Sequence, residues 1–146
     1  MNILVSACLL NVNCRYNGTG ILHSSVLKLM ASHQLIPVCP ELFGGLCTPR
    51  PPAEIIEGRV VNIAGNDVTE AYEKGAEETL KLAKLFNCKL AVLKERSPSC
   101  GHGTIYDGSF TATLTEGNGI TADLLIKNGI EVIGESEVLD YFISHR

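Results

Sequence analysis

Short apolar segments alternate with longer amphipathic segments along most of this chain. The apolar segments, each typical of a buried strand, are Asn2–Ala7, Leu35–Val38, Lys89–Leu93 and Ile130–Ile133. The clearest amphipathic segment is Asp67–Asn87, whose apolar face includes Val68, Tyr72 and Leu80 at helical spacing. Repeated strand–helix order predicts an α/β fold with a mostly parallel sheet and helices on both of its faces.

The remaining elements complete this pattern. Further helices are predicted over His23–His33, Ile120–Lys127 and Glu137–Ile143, and Arg59–Ile63 is predicted as a peripheral strand. A chain of 146 residues fits one domain. We therefore expect residues 1–146 to form a single three-layer, Rossmann-like domain.

Three long segments without a clear strand or helix pattern are rich in Gly, Pro, Cys and Ser. They are Cys8–Gly20, Cys39–Pro52 and Arg96–Gly108. Cys8 and Cys39 directly follow predicted strands, and Cys100 follows another after a short link. The carboxyl ends of parallel strands meet at one edge of the sheet, where such folds place their active sites. We expect the three thiols to converge there as a metal centre with one open position.

The ligand chemistry narrows the kind of metal centre. Thiolates suit iron–sulfur clusters, zinc or copper. A structural zinc site normally contains paired ligands such as Cys-x-x-Cys, which this sequence lacks, so ligands from separate loops favour a cluster. Cys88, at a helix–strand junction, is interpreted as a buried structural thiol, whereas Cys14 and Cys47 remain open as spare thiols or rival ligands.

Composition excludes several classes of protein. The net charge of -4 and a pI near 5.5 argue against general binding to nucleic-acid backbones. No apolar run approaches the roughly 18 residues of a membrane helix, and no basic residue precedes the apolar N-terminus, so a signal peptide is not expected. We predict a cytoplasmic protein, in which thiols persist or bind metals; a disulfide framework of the six cysteines is the disfavoured alternative.

Several motifs are similar to those of a known family. They are Ser6-Ala7-Cys8-Leu9-Leu10, Cys14-Arg15-Tyr16-Asn17-Gly18, Cys39-Pro40-Glu41, Arg50-Pro51-Pro52-Ala53-Glu54, Ser97-Pro98-Ser99-Cys100-Gly101 and Ile105-Tyr106-Asp107-Gly108-Ser109-Phe110. With them, the chain resembles the thiouracil desulfidase family from Ser6 to about Glu135. It departs from that family at Asn17, where an aspartate is common, and at Cys47, where a proline is common.

The resemblance implies a cofactor and an activity. The cofactor is a 4Fe–4S cluster held by Cys8, Cys39 and Cys100, with an open fourth iron. The activity is non-redox removal of sulfur from thiolated pyrimidines, such as 2- or 4-thiouracil or their nucleosides and nucleotides. Catalytic roles are implied for Glu41, as a carboxylate that activates water, and for Ser97, which relays a proton or holds the ring. The alternative for Ser97 is a hydroxyl that stabilises the turn before the next proline.

Contacts with the substrate are expected at Arg15, Tyr16 and Arg50. An arginine is suited to the phosphate of a nucleotide, although a structural ion pair with Glu54 or Asp107 is an alternative for Arg50. Two other functions fit the same fold. In the first, the protein is an iron–sulfur or sulfur carrier with its cluster on a flat surface. In the second, it is a nucleotide-binding module with structural cysteines. A cavity at the three cysteines distinguishes the enzyme from the carrier.

Overall fold

A parallel four-stranded sheet forms the centre of the molecule, which a computed structural model describes over residues 1–145. The strands, in chain order, are β1 (Asn2–Ser6), β2 (Gln34–Val38), β5 (Leu90–Leu93) and β8 (Glu131–Gly134). Their order across the sheet is β2-β1-β5-β8, and every neighbouring pair is parallel. The predicted α/β class with a parallel sheet is confirmed.

Helices cover both faces of this sheet. They are α1 (Ser24–Leu27), which continues as a 3-10 turn to Ala31, α2 (Pro40–Phe43), α3 (Thr69–Leu85), α4 (Ile120–Lys127) and α5 (Val138–Ser144). Side chains alternate along β1, so Ile3 and Val5 pack in the core layer of α1 and α5, whereas Leu4 packs in that of α3 and α4. In residues 1–145, no helix has both the length and the apolar character needed to cross a membrane.

Two antiparallel hairpins lie outside the main sheet. Their strands are β3 (Ala53–Ile56) with β4 (Arg59–Asn62), and β6 (Thr104–Tyr106) with β7 (Leu114–Glu116). The sequence predicted only β4, as peripheral; it did not indicate the other three strands or the short helix α2. These elements are brief, and β7 is exposed along its whole length, so they lack the apolar pattern that marks a strand of the core.

Two glycines allow helix α3 to contact the short helix α2 directly. A Cβ atom on Gly75 would lie 1.9 Å from the carbonyl oxygen of Pro40, and one on Gly44 would lie 2.0 Å from that of Ala71. Backbone atoms cannot move aside as a flexible side chain does, so any larger residue must separate the two helices. This contact holds the first turns of α3 beside the end of β2.

We predict that Gly75→Ala destabilises the protein. Alanine in a helix interior normally stabilises by about 1 kcal/mol relative to glycine, but here the methyl group meets backbone atoms of α2. We expect the overpacking to dominate, with a net loss of about 2 kcal/mol in the free energy of unfolding, measured by urea denaturation. Lys74→Ala, at the exposed neighbouring position, is the control and should change stability by less than about 0.5 kcal/mol. A Gly75→Ala protein as stable as the wild type would contradict the close backbone contact.

Candidate active site at the carboxyl edge of the sheet

A cavity of about 420 Å³ opens at the carboxyl ends of β1, β2 and β5. Four thiols line it: those of Cys8, Cys14, Cys39 and Cys100. Cys8 and Cys39 directly follow β1 and β2, and Cys100 lies in the loop after β5. The structure therefore brings together the three cysteines expected to converge and adds Cys14 as a fourth thiol.

The six cysteines fall into two groups. Cys8, Cys14 and Cys100 are buried and Cys39 is half-buried, with the Cys39 sulfur 3.8 Å from the Cys14 carbonyl oxygen. Cys47 is exposed, and Cys88 is buried in the core layer of α3 and α4; neither lines the cavity. Cys14, and not Cys47, is thus the thiol that accompanies the three strand-end cysteines.

Burial and mutual contact change the pKa values of the cavity thiols. Contact with the Cys14 thiol, together with burial, raises the pKa of Cys39 above its ordinary value, and burial raises that of Cys100. A bound cationic metal centre would favour the thiolate forms. No group of three or more His, Cys, Asp or Glu side chains within residues 1–145 is placed to hold a single metal ion. Thiols spread around one cavity fit a cluster of several irons, each held by one thiolate.

A buried ion pair forms the polar wall of the cavity. Glu41 lies in the first turn of α2, and its Oε2 is 3.2 Å from Nη2 of Arg50. The side chains of Arg50 and Glu41 are only 7% and 14% exposed. Arg50 pairs with Glu41 and not with Glu54 or Asp107, the partners that the sequence suggested. One Glu41 oxygen is thereby engaged, and the other is left without a protein partner among the described residues.

Further hydrogen bonds attach Arg50 to the loops that carry cysteines. Its guanidinium donates to the carbonyl oxygens of Cys14 (3.0 Å) and Cys47 (3.3 Å) and to the Thr48 hydroxyl (3.2 Å). Its backbone N–H donates to the carbonyl of Tyr16 (2.8 Å). Arg50 thus fixes Glu41 relative to the segment that contains Cys14.

The Ser97 hydroxyl stabilises its turn and also faces the cavity. Its oxygen accepts hydrogen bonds from the backbone N–H groups of Ser99 and Cys100, both at 3.1 Å, and Ser97 lines the cavity. A hydroxyl oxygen has two acceptor sites and one donor hydrogen. Because two N–H groups occupy its acceptor sites, the Ser97 hydroxyl is available as a donor.

The loop between β5 and Cys100 is anchored to the end of β8. Lys94 forms an ion pair with Glu135 at 2.9 Å, and the same carboxylate accepts the backbone N–H of Glu95 at 2.7 Å. The Glu95 carboxylate in turn accepts hydrogen bonds from the hydroxyl and backbone N–H of Ser136. These bonds fix the start of the loop that carries Ser97 and Cys100.

Arg15 and Tyr16 lie at the mouth of the cavity, and Tyr16 is exposed. Three further aromatic residues line the cavity, and sequence analysis named none of them as a site residue: Tyr72, Tyr106 and Phe110. Phe110 is held by the buried Glu54, whose Oε1 accepts the backbone N–H groups of Gly108 (2.9 Å) and Phe110 (3.1 Å). The cavity lining is therefore partly aromatic, which suits a flat heterocyclic ligand.

Buried thiols, a carboxylate and a donor hydroxyl around one cavity define an enzyme site rather than a flat carrier surface. Comparison with known proteins identifies the class: the model of the 2-thiouracil desulfurase family matches residues 3–137, and the chain belongs to that family. The protein is therefore an enzyme of the thiouracil desulfidase type, as the sequence motifs indicated.

Two relatives cover nearly the whole chain. The solved structure of the [4Fe-4S]-dependent thiouracil desulfidase TudS (DUF523Vcz) superposes with a TM-score of 0.91 at 41% identity, over 98% of this chain and 96% of the other. The uncharacterized protein YbbK of Bacillus subtilis (strain 168) is 45% identical over 148 aligned positions, which cover 94% of this chain and 98% of YbbK. The similarity to TudS includes the parallel sheet and its flanking helices.

We predict that Arg50→Gln costs far more stability than the same change at a surface ion pair. Removing one partner leaves the Glu41 carboxylate buried without its counter-charge, so we expect a loss of about 3 kcal/mol in the free energy of unfolding. Arg59→Gln is the matched control, because Arg59 pairs with Asp67 at 2.9 Å while their side chains are 57% and 45% exposed. Exposed pairs contribute little. Equal losses in urea denaturation would show that Arg50 is not a structural centre of the site.

Proposed function

We propose that this protein catalyses hydrolytic, non-redox desulfuration of thiolated pyrimidines and releases sulfide. The substrates are 2- or 4-thiouracil, or the corresponding nucleoside or nucleotide, and the base product is uracil. The observation that carries the proposal is that Glu41 and Ser97 line the same cavity as the strand-end thiols. The membership of the family and the similarity to a [4Fe-4S]-dependent thiouracil desulfidase support it.

In this proposal, Cys8, Cys39 and Cys100 hold a 4Fe–4S cluster with one iron that no protein group ligates. When bound, such a cluster supplies a Lewis acid that polarises the sulfur of the C=S bond. Cys8 and Cys39 directly follow strand ends and Cys100 lies in the loop after β5, whereas Cys14 lies in an irregular segment beside Cys39. We therefore assign Cys14 to the surroundings of the cluster and not to its ligands.

Glu41 is the general base that takes a proton from the attacking water. Its Oε2 is held by Arg50, which orients the carboxylate and leaves Oε1 for the water. Ser97 donates its hydroxyl hydrogen to the pyrimidine, since its oxygen already accepts two backbone N–H groups. The carboxylate and the hydroxyl thus act on the substrate from separate elements, α2 and the loop after β5.

Arg15 and Tyr16 bind the part of the substrate that remains at the cavity mouth. Arg50 also lines the cavity, and its contact with the substrate stays a prediction beside its observed ion pair with Glu41. We place the enzyme in the cytoplasm and assign it small-molecule substrates. The net charge of -4 disfavours general nucleic-acid binding.

An iron–sulfur or sulfur carrier is the alternative function. A carrier must present its cluster to a partner protein, whereas Cys8, Cys14 and Cys100 are buried at the bottom of a cavity. The burial of these thiols therefore favours chemistry on a small molecule over delivery to a partner.

We predict that Cys8→Ser, Cys39→Ser and Cys100→Ser each abolish both iron binding and activity. Serine removes the soft ligand with little change in volume. The measurements are iron content and visible absorption after anaerobic reconstitution. Cys88→Ser and Cys14→Ser are the controls and should retain iron. Equal iron in all five variants would exclude the ligand set, and loss of iron in Cys14→Ser would make Cys14 a ligand.

Glu41→Gln should retain iron and thiouracil binding while turnover falls by about 10²–10⁴-fold, the usual contribution of a general base. The assay is sulfide release from 2- and 4-thiouracil, free and as nucleotide, by iron-loaded protein. Glu77→Gln, an exposed position on α3, is the control and should leave the rate unchanged. Undiminished sulfide release by Glu41→Gln would assign water activation to another group.

A further inference from the structure

Tyr72 is a buried residue that lines the cavity beside Arg50. The side chain projects from α3, is only 3% exposed and lines the cavity. The hydrogen bonds of the nearby Arg50 guanidinium go to Glu41, Cys14, Cys47 and Thr48. The hydrogen-bonding neighbour of the Tyr72 hydroxyl within residues 1–145 is Arg50, and because a guanidinium can only donate, the hydrogen of the Tyr72 hydroxyl is left without an acceptor among those residues. Buried polar groups nearly always have a partner, so this hydroxyl awaits a ligand or a water molecule.

The packing of α3 places Tyr72 beside the short helix that carries Glu41. Tyr72 follows Ala71, which contacts Gly44, and precedes Gly75, which contacts Pro40. These two backbone contacts hold the turn of α3 that carries Tyr72 directly beside the turn of α2 that carries Glu41. Tyr72 and Glu41 accordingly line the same part of one cavity, with Arg50 as a neighbour of both.

The hydroxyl is a neutral group that can both donate and accept a hydrogen bond. Burial, reinforced by the nearby negative charge of Glu41, raises the pKa of Tyr72 above its ordinary value. The hydroxyl therefore keeps its proton throughout the physiological range. A water molecule that donates one hydrogen to a carboxylate base needs a second hydrogen bond to fix its orientation. A neutral hydroxyl beside the carboxylate can supply that second hydrogen bond.

We propose that Tyr72 is a further catalytic residue, whose hydroxyl holds the attacking water together with Glu41. The inference rests on the proposed function. Water gives one proton to the free oxygen of Glu41 while its second hydrogen is held by the Tyr72 oxygen; a C–O bond forms and the C–S bond breaks. Glu41 returns the first proton to the departing sulfur, and the hydrogen left on the new C–OH group then passes through Glu41 to the sulfide, which gives C=O and H₂S. One water is consumed, one H₂S is released, and nothing is oxidised or reduced.

The test compares Tyr72→Phe with Tyr141→Phe in anaerobically reconstituted protein. Tyr141 is the matched control, because its hydroxyl bonds Glu131 at 3.1 Å and it does not line the cavity. We expect Tyr72→Phe to lower kcat for thiouracil by about 10- to 100-fold, as misplaced reactants do. KM, the Kd for thiouracil from equilibrium dialysis, iron content and Tm should stay close to wild type. Tyr141→Phe should match the wild-type kcat.

A double variant tests whether both groups act on the same water. If they do, Glu41→Gln combined with Tyr72→Phe should be little slower than Glu41→Gln alone, because residues that act as a unit are not additive. Multiplied effects in the double variant would overturn the shared water.

Other outcomes also decide the proposal. If Tyr72→Phe raises KM and leaves kcat unchanged, the hydroxyl binds the pyrimidine ring and not the water. If Tyr72→Phe loses enough iron, or its Tm falls far enough, to explain the lower rate, the role of the hydroxyl is structural. Either result, like an unchanged rate, overturns the inference while the desulfidase function stands. Absence of sulfide release by the wild-type protein would instead overturn the proposed function, and this inference with it.

Discussion

The buried guanidinium of Arg50 donates hydrogen bonds to a carboxylate, a hydroxyl and two backbone carbonyls at once. Burying a charge is costly unless its donors find acceptors, and these partners give two hydrogen bonds to each of the two Nη atoms. They belong to α2, to the segment of Cys14 and to the segment of Cys47 and Thr48. The relative positions of these segments, and so the shape of the polar wall, depend on this one side chain.

The site has two halves with different supports. The thiols of Cys8 and Cys39 are placed by the ends of strands, and Cys100 by a loop that Ser97 and the Lys94–Glu135 ion pair hold in place. The polar half depends on α2 and α3, whose close contact requires Gly44 and Gly75. A fixed sheet edge thus carries Cys8 and Cys39 into the cavity, and a helix pair packed backbone to backbone carries Glu41 and Tyr72.

Periodic apolar patterns made the main sheet predictable, and α4 was predicted with its observed bounds, Ile120–Lys127. The convergence of Cys8 and Cys39 followed from the rule that parallel strands end at one edge. The partner of Arg50 was not predictable, because it depends on how two irregular loops fold around each other. Tyr72 was assigned to the apolar face of its helix, and helical spacing cannot show that its hydroxyl reaches a cavity beyond that face.

The parallel sheet also determines when the thiol site can exist. β5 pairs with β1, although β2, α3 and the β3–β4 hairpin are made between them. A chain still leaving the ribosome has Cys8, Cys14 and Cys39 in place long before Cys100 is synthesised. The complete set of thiols meets only after translation has passed β5 and the strand has inserted beside β1. The four cavity thiols are therefore assembled late, and until β5 has paired with β1 the thiols of Cys8, Cys14 and Cys39 lack the loop that completes their cavity.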